Sequence, residues 1–204
     1  MLAFTLIFAC ACGTPGGSDT PTKTPSAKGN YLVIPLTSGN TSPISAMCYD
    51  LLNTVSTIQL YDTADYDILN ECFAIIDRYE KIFSKTLEGS EVYNINHSNS
   101  TTFTVSDELK ELIALSLTYC ELSGGAFDIS VAPLTSLWDF TGAEHKTEPP
   151  ADSSIKEALA LVDYKNIRLE GNTLTFLKPG MQLEFGAVAK GHIADKVKEY
   201  LLAS

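Results

Sequence analysis

Three segments of the sequence carry residue types that a hydrophobic core does not require, and the first could bind a flat ring. Residues 123–140 read SGGAFDISVAPLTSLWDF, with paired glycines followed by aromatic side chains. Glycines let a backbone approach a ligand closely, and aromatic rings offer a stacking surface. A helix cap followed by an irregular core loop would explain the same residues, since glycine commonly ends helices.

The second segment, residues 183–191, reads LEFGAVAKG and could bind an anion. A helix N-terminus after the glycine would present unpaired N–H groups, Lys190 adds a cation, and Glu184 could accept from a base or a sugar hydroxyl. The Gly-Lys-Ser/Thr order of a Walker A loop is absent. A strand-to-helix connection with a solvated lysine is the alternative.

The third segment, residues 83–94, is a polar stretch that says little about chemistry by itself. His97, His145 and His192 are scattered along the chain, and we expect each of them at the surface. No Ser/His/Asp or Cys/His order is recognisable, so nucleophilic catalysis by the chain is not indicated.

Hydrophobic periodicity predicts the elements that position these segments. Residues 31–36 and 53–61 are predicted strands, the second because Ile58 and Leu60 alternate with polar residues. From Ile68 the apolar spacing becomes helical and predicts one amphipathic helix.

A polar loop is predicted over residues 85–101, followed by a short strand at 102–105. A second helix is predicted to begin at Ser106 and to end at the glycines after Ser123. An N-cap serine therefore marks the start of this helix, and glycines mark its end.

Ser154 and Glu157 have the spacing of a capping box and predict the start of a third helix. Strands are predicted at residues 166–169, 173–177 and 181–185, the first two as a hairpin, before a final helix. Strands and helices mix without strict alternation, so we predict an α+β fold with a mixed or antiparallel sheet and packed helices.

Charge excludes one class of partner. The 204 residues contain 25 Asp and Glu against 14 Lys and Arg, a formal charge of −11. Nucleic-acid binding needs clustered positive charge, so no nucleic acid is expected as a partner. A bound polyanion would need local devices such as backbone amides or a bridging metal.

The N-terminal region predicts a membrane anchor. Residues 1–12 look like the remnant of a secretory signal, too short to span a bilayer, and Cys12 lies between small residues as in a lipoprotein processing site. Cys10 could serve instead, and a plain secretory signal or a misassigned start is the alternative. Residues 13–29 are a predicted flexible linker, and residues 30–204 the folded domain. We therefore expect a lipid-anchored protein of the cell envelope, on the extracytoplasmic face.

The three segments at residues 83–94, 123–140 and 183–191, in their order along the chain, resemble the FAD:protein FMN transferase (ApbE) family. The family's GAFD…PL…LW.F block is similar to residues 125–140, its LDLGG…KG block to 183–191 and its FS…SE block to 83–92. Residues 161–167 resemble the segment before its hairpin. The resemblance covers roughly residues 46–202.

This resemblance implies a function. Members of the family are commonly lipoproteins that bind FAD and, with Mg²⁺, transfer its FMN moiety to a threonine or serine hydroxyl of a flavoprotein subunit, releasing AMP. The alternatives are an FAD-binding or FAD pyrophosphatase lipoprotein, an inactive fragment, and a non-enzymatic lipoprotein that binds another solute.

The resemblance also implies site residues, although it assigns no catalytic residue. Glu184 stands where the family usually has Asp, and Ala187 falls on the position whose backbone oxygen is a magnesium ligand. The family continues into a segment with an Asp and a Thr as further magnesium ligands, so the sequence is expected to be C-terminally incomplete. The positions that match FAD contacts are Met47, Ala126, Phe127, Asp128, Glu184 and Lys190.

Overall fold

A computed structural model describes residues 4–9, 31–37, 41–138 and 148–204. Cys12, the predicted linker, Phe140 and His145 therefore lie outside the described residues. The chain divides into two compact units, Met1–Glu80 with Lys190–Ser204, and Lys81–Ala189. The elements are β1 (Phe4–Ala9), β2 (Ile34–Pro35), β3 (Ile44–Cys48), β4 (Val55–Leu60), α1 (Tyr66–Phe83), α2 (Glu91–Asn96), β5 (Thr102–Thr104), α3 (Asp107–Leu122), α4 (Ala132–Thr135), α5 (Asp152–Leu159), a 3₁₀ turn (Tyr164–Asn166), β6 (Ile167–Glu170), β7 (Thr173–Phe176) and α6 (Ala189–Ala203).

The first unit is built on an antiparallel sheet in the order β1-β4-β3-β2. The predicted alternation in β4 is confirmed, because Ser56, Ile58 and Leu60 are all buried. The strand predicted over residues 31–36 is real but short, with only Ile34–Pro35 in the sheet.

Helix α1 up to Glu80 and helix α6 from Lys190 belong to the first unit, and both confirm the helical spacing of the sequence. Tyr79 of α1 and His192 of α6 meet edge to face, with ring centroids 6.0 Å apart. His192 is only 7% exposed, so its expected surface position is wrong. The aromatic contact shows why: α6 uses this histidine as part of its buried face.

The second unit contains an antiparallel sheet in the order β5-β7-β6. Strands β6 and β7 form the predicted hairpin, and Phe103 of β5 packs on Phe176 of β7 with ring centroids 5.8 Å apart. The α+β class is thereby confirmed, with small antiparallel sheets and packed helices.

The predicted loop over residues 85–101 is partly helical, because it contains α2. Ser90 caps this helix and accepts from the Tyr93 amide at 3.1 Å. Glu91 then reaches the start of α3, where its carboxylate accepts from the amide and the hydroxyl of Ser106 at 2.8 and 2.6 Å. Ser106 also caps α3 through the Leu109 amide, as predicted. The Ser-Glu pair of the third segment thus joins two helix starts.

Two predicted features are wrong. Residues 181–185 form no strand, because the Asn96 side chain and the Ile129 carbonyl bond their backbone instead. The capping box at Ser154 is absent, since α5 already begins at Asp152 after Ala151, with no side-chain cap. Asp152 in the first turn favours this earlier start through the helix dipole. Within the part of the chain that the structure describes, no helix has the length and apolar character needed to cross a membrane.

The contact between Glu91 and Ser106 yields a test of this framework. Glu91→Ala should lower the free energy of unfolding by about 1–2 kcal/mol, because the start of α3 loses two charge-assisted hydrogen bonds. Urea unfolding followed by circular dichroism measures the change. Glu88→Ala, which removes an exposed carboxylate from the same stretch, should change stability by less than about 0.5 kcal/mol. Equal effects of the two substitutions would contradict the assigned role.

Candidate functional site

A glycine turn at the end of α3 opens the first of the segments that the sequence singled out. Gly124 and Gly125 have φ angles of +64° and +86°, in the left-handed region that L side chains rarely adopt. The Gly125 amide donates to the Cys120 carbonyl at 2.8 Å, which closes the helix. The predicted cap is therefore confirmed, and the same turn directs the chain into residues 126–128.

Asp128 fastens the next loop to the segment before the hairpin. Its Oδ1 accepts from the amide and hydroxyl of Ser130 at 2.8 and 2.6 Å, and its Oδ2 accepts from the Tyr164 amide at 2.8 Å. The Ser130 hydroxyl in turn accepts from the Asp163 amide at 2.9 Å. The carboxylate thus serves as an internal clamp, while its contact with FAD stays a prediction.

The segment over residues 181–185, which belongs to no helix or strand, is held by a side chain and a loop. The Leu183 amide donates to Asn96 Oδ1 at 2.7 Å, and Asn96 Nδ2 donates back to the Leu183 carbonyl at 2.8 Å. The Glu184 amide donates to the Ile129 carbonyl at 2.8 Å. The amide of Asn96 therefore replaces a neighbouring strand, and the backbone that carries Glu184 is bonded on two sides.

Glu184 ends in a polar cluster with Lys85 and Thr135. Lys85 Nζ lies 2.7 Å from Glu184 Oε2 and 2.9 Å from Thr135 Oγ1, and the Thr135 hydroxyl donates to the same carboxylate oxygen. The side chains of Lys85 and Glu184 are 25% and 24% exposed. We call these three residues the Glu184 cluster. It offers an accessible carboxylate whose direction is fixed by a cation and a hydroxyl.

The other residues implied by the resemblance have defined positions. Ala126 is exposed, Phe127 is half-buried, and Ala187 is exposed in the turn after residues 181–185. Met47 lies on β3 and Lys190 in the first turn of α6, both half-buried in the first unit. The second unit thus contains Ala126, Phe127, Asp128, Glu184 and Ala187.

The sequence did not predict site roles for Lys85, Thr135 and Asn96. Lys85 and Thr135 lie inside the FS…SE and GAFD blocks, so their positions within motifs were the available signal. Asn96 lay in a predicted loop, and nothing in the sequence joins it to Leu183. Its role depends on a contact between residues 87 positions apart.

The chemistry of the described residues sets limits on the site. Among them, no group of three or more His, Cys, Asp or Glu side chains could hold a metal ion. Burial raises the pKa of the thiols of Cys48, Cys72 and Cys120, in the case of Cys72 to about 12. These thiols therefore stay protonated near neutral pH and do not provide a nucleophile.

The fold and the Glu184 cluster define an α+β protein with polar groups suited to binding a ligand. A profile of the ApbE family matches residues 52–204, about three quarters of the sequence. The chain therefore belongs to the ApbE family, and the resemblance noted in the sequence is confirmed.

Curated relatives and solved structures agree with this assignment. The chain is 33% identical over 154 residues to the FAD:protein FMN transferase of Klebsiella pneumoniae (strain 342), covering 74% of this chain and 48% of that protein. It is 31% identical over 143 residues to the enzyme of the same name from Treponema pallidum (strain Nichols), covering 66% and 39%. The chain thus spans about half the length, or less, of these curated relatives.

The fold is that of solved ApbE structures. The flavin transferase ApbE from Vibrio cholerae matches with a TM-score of 0.66 at 23% identity, over 85% of this chain and 54% of that one. The apo form of the flavinyl transferase ApbE from Pseudomonas stutzeri matches with a TM-score of 0.66 at 24% identity, over 84% and 55%. At these identities the likeness concerns the fold.

The two hydrogen bonds between Asn96 and Leu183 can be tested by one substitution. In Asn96→Asp, a carboxylate oxygen replaces the donor that faces the Leu183 carbonyl, so two acceptors oppose each other. We expect the free energy of unfolding to fall by about 2 kcal/mol in urea titrations at neutral pH. Asn94→Asp is the matched control: Asn94 lies on the same helix, and its amide bond to the Gly89 carbonyl is long, at 3.3 Å, and exposed to water. This variant should lose less than about 0.5 kcal/mol. If both variants are as stable as the parent, Asn96 does not hold this segment.

Proposed function

We propose that this protein is an FAD:protein FMN transferase, which moves FMN from FAD to a threonine or serine hydroxyl of a flavoprotein subunit of a redox complex. Its membership of the ApbE family and the names of its relatives support the proposal. The observation that carries it is the Glu184 cluster, which presents a carboxylate at the position that the resemblance assigns to FAD binding.

The proposed reaction is a phosphoryl transfer. The acceptor hydroxyl oxygen forms a bond to the phosphorus of the FMN moiety, and the bond from that phosphorus to the bridging oxygen breaks. AMP leaves with the bridging oxygen, and the hydroxyl proton passes to a general base. In such reactions, positioning and electrostatic stabilisation provide most of the rate enhancement.

The residues of this chain would bind and orient the FAD. Glu184 would accept a hydrogen bond from FAD. Because the turn at Ala126 is exposed, the protein backbone there could lie close to the FAD. Phe127 offers an aromatic face, and the clamp at Asp128 keeps this turn in place. Met47 and Lys190 are proposed as further contacts.

We also propose Mg²⁺ as a cofactor, with the Ala187 backbone oxygen among its ligands. The side chains of the described residues do not fit a complete magnesium site, because they form no group of three or more possible ligands. No step of the transfer is therefore assigned to the ion.

A lipid anchor at Cys12 would place the protein in the cell envelope, on the extracytoplasmic face of the membrane. The small residues around this cysteine and the Gly/Pro/Ser/Thr-rich stretch over residues 13–29 support the proposal. Stable attachment would need more than one acyl chain, because a single chain binds membranes weakly. The acceptor flavoprotein would then be met at the same membrane surface.

The transfer can be tested directly. The protein is incubated with FAD, Mg²⁺ and an acceptor flavoprotein domain, and the products are separated under denaturing conditions. We expect flavin fluorescence to remain on the acceptor band, together with one AMP released for each flavin attached.

An acceptor in which the target hydroxyl residue is replaced by alanine serves as the control and should stay unlabelled. Release of FMN and AMP with no labelled acceptor would indicate an FAD pyrophosphatase instead. Absence of both products would contradict enzymatic activity on FAD and favour a lipoprotein that binds a different solute.

A further inference from the structure

The two carboxylate oxygens of Glu184 have different surroundings. Oε2 receives Lys85 Nζ and the Thr135 hydroxyl. Among the described residues, none donates a hydrogen bond to Oε1. Gly186 lies beside this oxygen, since a Cβ there would stand 3.5 Å from Oε1, at ordinary contact distance. One oxygen of this partly exposed carboxylate is therefore held by two donors, and the other has no donor among the described residues.

We infer that Lys85 and Thr135 are positioning residues, which orient Glu184 so that its Oε1 accepts a hydrogen bond from an N–H or O–H donor of a flavin nucleotide. The inference rests on the proposed function, since it takes the ligand to be FAD. It assigns to the polar stretch after α1 a role in binding that the sequence did not indicate.

The length of Glu184 explains why such partners are needed. The resemblance places Asp at this position in most members, and glutamate has one more methylene and one more rotatable bond. An unrestrained side chain of this kind loses rotamer freedom when it binds a ligand, which lowers affinity. Lys85 and Thr135 fix the side chain before the ligand arrives. The backbone hydrogen bonds at Leu183 and Glu184 likewise fix the position of the Glu184 backbone.

A purely structural ion pair predicts a different result. Partly exposed ion pairs contribute little to stability, and this pair is about a quarter exposed on both sides. If the pair serves orientation, its loss should weaken FAD binding much more than it changes resistance to urea. If the pair serves stability, the loss of FAD affinity should be accompanied by a comparable loss of resistance to urea.

Titration of the full chain with FAD, followed by quenching of flavin fluorescence, tests the inference. We expect Lys85→Met to raise Kd about tenfold and Thr135→Val by several-fold, with the urea midpoint nearly unchanged. Thr135→Ser keeps the hydroxyl and should bind FAD like the parent. Lys156→Met and Thr118→Val are matched controls at exposed helical positions and should leave Kd unchanged.

A double substitution separates orientation from direct contact. Glu184→Gln should raise Kd by itself, and adding Lys85→Met should weaken binding little further, because Lys85 acts through Glu184. Additive effects would mean that Lys85 contacts the ligand directly and would overturn the inference. The same holds if Thr135→Ser weakens binding as much as Thr135→Val, or if the rise in Kd is accompanied by a comparable fall in the urea midpoint. Parent-like binding by Lys85→Met would overturn this inference alone, whereas a parent chain that binds no FAD would overturn the proposed function as well.

Discussion

The site depends on the satisfaction of the backbone over residues 181–185. A segment outside helices and sheets has no regular partners for its amides and carbonyls. Unpaired groups are costly where the segment is buried, and Met181, Leu183 and Phe185 are buried. Asn96 supplies both a donor and an acceptor to Leu183, and the Ile129 carbonyl accepts from Glu184. With the backbone at Leu183 and Glu184 bonded in this way, the Glu184 side chain stays partly exposed, at 24%.

The partners of this segment come from parts of the chain that are themselves tied together. Ile129 lies between Asp128 and Ser130, whose side chains bond each other and the backbone at Asp163 and Tyr164. Lys85 counters the charge of Glu184 at the cluster, in a chain whose formal charge is −11. Because Lys85 offsets the charge of this carboxylate, a negatively charged ligand can approach it even though the protein as a whole is strongly acidic.

Local signals predicted most of the elements, whereas the hydrogen-bond partners of residues 181–185 and of the Glu184 side chain depend on long-range contacts. The alternation in β4, the cap at Ser106 and the glycine turn after α3 were readable because each depends on neighbouring residues. Residues 181–185 alternate like a strand, but the distant Asn96 side chain and the Ile129 carbonyl take the place of a neighbouring strand. Similarly, Glu184 was predicted as a site residue from its motif, but its pairing with Lys85 spans 99 positions and leaves no local trace.

The structure of the protein with FAD bound would test the central claim most directly, namely that Glu184 is oriented in advance for its ligand. We predict that a donor atom of FAD lies within hydrogen-bond distance of Glu184 Oε1, while Lys85 and Thr135 remain on Oε2. FAD bound away from Glu184, or a Glu184 side chain that has left Lys85 to meet the ligand, would contradict the account.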